Sequence, residues 1–179
     1  MMRIIVTIAL LLTAVAAWCQ NYAPKAGETV MKIAVEGRGN VFIRLHTKQA
    51  PAITGQIIKL AKQGFYDGQR FHRAVKSPRP YLVQVGDPAS KTRLDDQMDG
   101  GSGTNVPYEK SGFRNTTGAV GLRMDTTSRT GDSQFYILLA DQSILDDKYP
   151  VFGQVVEGMD VVKRIERGDR VVSVTILGG

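Results

Sequence analysis

The run Thr29-Val-Met-Lys-Ile-Ala-Val35, the break Gly37-Arg-Gly39-Asn40 and the run Val41-Phe-Ile-Arg-Leu-His46 decide the fold class. Both runs alternate with a period of about two, the side-chain repeat of a strand that buries one face. A short Gly/Asn-rich break between two such runs spells an antiparallel hairpin. Working outward, further strand-like runs recur at 70–75, 81–85, 119–124, 135–139, 151–156 and 171–177. Two segments switch to helical spacing. Ile53, Ile57, Leu60 and Ala61 share one face of a helix expected over 50–63. Pro51 sits in its first turn, where the missing N–H is no loss, and Gly64 stops it. A shorter helix is expected over 159–167, ending at Gly168. Many short strands, two helices and one compact length argue for a mainly β protein, a closed antiparallel barrel capped by the helices.

The chain has 179 residues, enough for one well-filled core and hardly enough for two. Its net charge is +6, but the basic residues are dispersed, and no arginine-rich run or stacking-aromatic string accompanies them. A nucleic-acid partner is therefore not expected.

The first residues are of a different composition. Met1-Met2-Arg3 gives a positive start, and the uncharged, mostly apolar stretch from Ile4 to Trp18 follows. It falls short of the roughly 20 apolar residues of a membrane span and suits a secretory signal instead. Residues 1–19 are thus expected to be a signal peptide, 20–28 a linker, and 29–179 a single domain. No integral membrane span is expected. Cys19 is the sole cysteine, so no intramolecular disulfide can form. It stands where a lipoprotein signal places its lipid-bearing cysteine, but Trp18 precedes it where a small residue is wanted. Export to the periplasm or another extracytoplasmic space is favoured over lipid anchoring.

Ordinary catalytic chemistry is poorly represented. Two histidines, His46 and His72, and no cysteine within the domain leave no basis for a zinc site. Phosphate loops, nucleophile elbows and dinucleotide fingerprints are absent from the sequence. Asp95-Asp-Gln97-Met-Asp99-Gly100 opens like a calcium loop, yet its twelfth position, which needs a bidentate glutamate, is Val106. Neither a metal nor a cofactor is expected.

Four separated segments carry more information together than apart: Phe71-His72-Arg73, Tyr81-Leu-Val-Gln84-Val-Gly86-Asp87, Ser133-Gln134-Phe135-Tyr136-Ile137 and Val151-Phe152-Gly153-Gln-Val-Val-Glu-Gly158-Met159. In this order and spacing the chain resembles the cyclophilin family of peptidyl-prolyl cis–trans isomerases, from about Thr29 to Leu177. The resemblance implies eight antiparallel strands in a barrel with one helix at each end. It implies a catalytic role for Arg73, with Gln84 and Gln134 orienting it and contacting the substrate backbone. It places Tyr81, Leu82, Tyr136 and Leu145 around the proline ring, Tyr149 at the pocket edge, and Arg123-Met124 on the strand that pairs with bound peptide. The implied partners are proline-containing polypeptides, and the expected working unit is a monomer.

The chemistry fits such a reaction. Rotation about Xaa–Pro needs no nucleophile; its barrier of about 18–20 kcal/mol is lost amide resonance. Twisting exposes the prolyl nitrogen lone pair, and a donor aimed there stabilises the transition state more than the planar amide. Arginine suits this, being permanently charged and rigidly forked.

The chain departs from familiar cyclophilins at the pocket edge. Ile144 stands for their tryptophan, Tyr149 for a histidine, Tyr81 and Tyr136 for phenylalanines, and Arg123-Met124 for Ala-Asn. Weak cyclosporin binding is the expected consequence. The stretch 74–80 is about three residues longer than its usual counterpart. Two other readings compete: a proline-segment binding module or holdase that grips without catalysing, and a structural barrel lending only its fold.

Overall fold

The computed structural model describes residues 22–95 and 97–179. The expected signal peptide, Cys19 and the start of the linker lie outside the described residues. The rest of the linker is tied down: the Tyr22 hydroxyl donates to Glu28 at 2.9 Å, and its ring lies 5.7 Å from that of Phe42.

Among the described residues nine strands form, β1 Thr29–Val35, β2 Gly39–Leu45, β3 Arg73–Val75, β4 Leu82–Val85, β5 Val106–Pro107, β6 Ala119–Asp125, β7 Thr130–Leu138, β8 Val151–Glu157 and β9 Val171–Gly178. Helix α1 spans Pro51–Lys62 and helix α2 spans Met159–Arg164. Eight strands follow one antiparallel path, β3-β4-β7-β6-β8-β2-β1-β9, and the two-residue β5 pairs beside it with β7. The sheet curls until its ends meet. The residues before β3 bond to those leading into β9, Phe71 N to Asp169 O at 2.9 Å and Val171 N to Gln69 O at 2.8 Å, around an Arg70–Arg170 bridge. The expected mainly β barrel with two helices is therefore the fold, joined at this seam by a short bridge instead of a full ladder.

Strand alternation sorts the side chains. Val83 and Val85 of β4, Val120, Leu122 and Met124 of β6, and Phe135 and Ile137 of β7 point into the main core. Ile53, Ile57 and Leu60 of α1 and Val161 and Val162 of α2 join the same core. The opposite parity forms the outer face of the wall. There Leu82, Ala119, Tyr136 and Leu138 make a smaller apolar cluster under Leu145 and Val151. This second cluster is what positions the site.

Helix α2 ends three residues before its expected limit, because Ile165 turns extended at φ −60°, ψ 131°. Asp169 then accepts from Glu166 N at 2.8 Å and closes the following turn.

Candidate active site

The site is built on the outer face of β3, β4, β7 and β6. Arg73 pairs in register with Gln84, and Gln84 with Tyr136. One row of side chains across three strands thus runs from the guanidinium to the apolar cluster. Arg73 is exposed, and its guanidinium carbon lies 5.6 Å from the Tyr81 ring centroid, within cation–π reach. Among the described residues no carboxylate pairs with Arg73.

Arg73, Tyr81, Leu82, Gln84, Arg123, Tyr136, Leu145 and Tyr149 together line one hollow of about 90 Å³. Eight of the ten expected site residues therefore converge on one place. Gln134 lies beneath them, 3% exposed, and Oε1 of Gln134 accepts from Nε2 of Gln84 at 2.8 Å. The other amide end of Gln134 donates to Met98 O at 2.9 Å and Gly100 O at 2.8 Å. Met124 lies on the same strand, β6, with its side chain in the main core, because strand parity turns Arg123 outward and Met124 inward.

The floor of the hollow is polar at one point. The Tyr136 hydroxyl donates to Asn115 Oδ1 at 2.6 Å. Asn115 Nδ2 in turn donates to Asp146 Oδ1 at 3.2 Å and Tyr149 O at 3.3 Å. Burial pushes the Tyr136 phenol well above its ordinary value, so it stays protonated and keeps donating. Gly121 makes room for this tyrosine, since a Cβ there would collide with the phenol end of the ring.

Beside Arg73, His72 is 6% exposed and neither ring nitrogen has a hydrogen-bond partner. Desolvation holds its pKa below the ordinary histidine value. Asp87 and the nearby Gln134 side chain oppose that shift, while Arg123 and Arg73 add to it. The imidazole is therefore neutral at pH 7, which spares Arg73 a like-charged neighbour.

Asp87, 1% exposed, fixes the loop that carries the backbone acceptors of Gln134. Its carboxylate accepts from Gly100 N at 2.7 Å and Ala89 N at 2.9 Å. Gly86, at φ +116°, leads into it; a Cβ there would run into the Ser133 carbonyl. Of the calcium-like string, Asp95 pairs with Arg93 and Asp99 with Arg123. Among the described residues no group of three or more His, Cys, Asp or Glu could hold a metal. Residues 76–80 of the lengthened loop line neither this hollow nor the cavities beside it.

Residues 30–177 match the sequence profile of the family described as "Cyclophilin type peptidyl-prolyl cis-trans isomerase/CLD". The chain belongs to the cyclophilin family. Similar cyclophilins include the peptidyl-prolyl cis-trans isomerase-like 1 of Rhizopus delemar, 33% identical over 133 residues, covering 71% of this chain and 74% of that one. A probable peptidyl-prolyl cis-trans isomerase of Brucella suis is 33% identical over 139 residues, covering 73% and 68% of the two chains. In fold, the chain matches the crystal structure of a Cryptosporidium parvum cyclophilin type isomerase with TM-score 0.70 at 17% identity, over 85% of this chain and 99% of that one. The cyclophilin AquaCyp293 from Hirschia baltica follows with TM-score 0.64 at 20% identity, covering 83% and 76%. Among the described residues no helix is long and apolar enough to cross a membrane.

Asn115, Asp87 and Asp99 escaped the sequence reading. Asn115 lies in an ordinary Arg-Asn-Thr-Thr string, and its role exists only through a partner 21 positions away. Asp87 did carry a signal, its place directly after Gly86 at a strand end.

Proposed function

We propose that this cyclophilin accelerates Xaa–Pro rotation in proline-containing polypeptides folding outside the cytoplasm, as a monomer and without metal or cofactor. One observation carries the reading: the Arg73 guanidinium lines the same hollow as Tyr81, Leu82, Tyr136 and Leu145, beside a glutamine held by a second, buried glutamine.

The proline ring enters among Tyr81, Leu82, Tyr136 and Leu145, and the residue before it turns. As the amide leaves planarity, its nitrogen becomes a hydrogen-bond acceptor, and Arg73 donates to it. Stacking over Tyr81 restricts the guanidinium to the rim. Gln134 engages one end of the Gln84 amide and leaves the Gln84 carbonyl to accept from Arg73 or a substrate N–H. The uncatalysed step takes tens to hundreds of seconds, long enough to limit folding. The leader over 1–19, with its basic start and apolar run, supports export of the enzyme to such clients.

The deciding experiment follows cis–trans exchange of a short Xaa–Pro peptide directly by NMR, with the parent protein and with Arg73→Ala. Accelerated exchange in the parent, with a loss of about 100- to 1,000-fold in the variant, supports the reading. Peptide resonances that shift on binding without faster exchange would leave a proline-segment binder instead.

A further inference from the structure

Arg123 stands where three hollows meet. It lines the proline hollow, a cavity of about 400 Å³ shared with His72, Arg73 and Arg167, and one of about 470 Å³ shared with Asp125 and Asp132. Asp99 lines the last two but not the first. The ion pair between Arg123 Nη2 and Asp99 Oδ1, 2.6 Å long, therefore bridges from β6 to the 97–100 loop where the two larger cavities adjoin. Strand parity keeps Arg123 on the outer face between inward-facing Leu122 and Met124, so its guanidinium stays in the groove.

The proline hollow is lined by two guanidiniums, those of Arg73 and Arg123, and by no carboxylate. Rotation of the amide requires one of them. The second is held by Asp99 across a pair whose side chains are 42% and 72% exposed, so the hold is weak and readily exchanged. A substrate carboxylate meeting the same planar fork can take the place of Asp99, with Arg73 nearby to add to the attraction.

We infer that Arg123 is a specificity-determining residue, favouring proline segments that carry a carboxylate on a residue next to the proline. The inference rests on the isomerase reading of the same hollow. Binding exchanges the Asp99 carboxylate for that of the substrate, and the freed Asp99 returns to solvent.

The test uses peptides in one Xaa–Pro frame with Glu, Gln or Lys placed before or after the proline, read as kcat/KM from NMR exchange. For the parent, Glu should exceed Gln by about 5-fold at one position, the ratio shrinking in 0.5 M salt. Asp99→Asn should raise the Glu:Gln ratio by removing the competitor, Arg123→Gln should level it, and Arg123→Glu should turn it in favour of Lys. A ratio near one at every position, a parent preference for Lys, or a ratio untouched by Arg123→Glu overturns the inference. If no peptide exchanges faster with the parent protein, the isomerase reading fails by itself. The same ratios, read as dissociation constants from NMR titration, then decide the role of Arg123 separately.

Discussion

Nε2 of Gln84 donates to Oε1 of Gln134 at 2.8 Å, and both residues are buried although strand parity turns both outward. Over them lies the 97–100 loop, which Gln134 pins through the carbonyls of Met98 and Gly100. One amide thereby ties together β4, β7 and a loop beside Arg73. Gln134→Ala removes three of these bonds and strands two backbone acceptors. It should cost about 1–3 kcal/mol of stability. The exchange rate should fall further than the stability loss accounts for, because Gln84 loses its orientation. Chemical denaturation beside NMR exchange separates the two effects; an unaltered exchange rate in the folded variant would deny Gln134 its positioning role.

Tyr136→Phe keeps the ring in the hollow but leaves Asn115 Oδ1, in a residue 2% exposed, without its 2.6 Å donor. An abandoned buried acceptor costs about 1–3 kcal/mol. Double replacement by Tyr136→Phe and Asn115→Ala should not cost the sum of the two single changes, since each alone breaks the same bond. A full thermodynamic cycle by denaturation gives the coupling, and strict additivity would show that the bond carries no energy.

The barrel was legible in the sequence because it depends on short-range pattern, and the converging residues because the ordered segments that carry them resemble those of a known family. Alternation in 29–35 and 41–46 gave β1 and β2, and the spacing of Ile53, Ile57 and Leu60 gave α1. Strand β5 was not legible: Val106–Pro107 is two residues long and has no period to detect. The inward turn of the Met124 side chain was not legible, because parity and the bulge between Leu122 and Met124 decide where side chains point. Asn115 and Asp99 act on partners brought close only by the curled sheet, Tyr136 and Arg123, and no local pattern reveals those pairings.

Helix α1 has no capping side chain of its own; its N-cap residue is Ala50. Glu109, more than fifty positions downstream, fills the role, accepting from Ala52 N at 3.0 Å and Ile53 N at 2.8 Å. A carboxylate there satisfies two orphan donors and faces the positive end of the helix. Glu109→Ala should cost about 1 kcal/mol and lower the melting temperature by about 2–4 °C. Glu109→Gln should recover part of the loss, since it keeps an acceptor and gives up the charge. Equal melting temperatures for the parent and the alanine variant would remove this cap from the stability account.

Acid should destabilise the protein in two steps. Both histidines have pKa values depressed mainly by desolvation, with Arg44 adding to the shift at His46 and Arg123 and Arg73 at His72. A histidine depressed in the folded state binds its proton first in the unfolded chain. Its contribution is thus intact above the unfolded pKa of about 6.5 and is lost as pH falls from there through the folded value. Glu28, Asp125, Asp141, Asp160 and Asp169 have pKa values lowered by hydrogen bonds, so their contributions are intact above about 4 and fade below it. Melting temperature should hold steady from pH 8 to 7, decline below about 6.5, and drop again below about 4. Protonation of His72 also sets a second positive charge beside Arg73, so isomerisation should slow in the first of these windows. His72→Met should flatten the first decline but not the second. If the first decline survives both His72→Met and His46→Met, its origin lies outside the histidines.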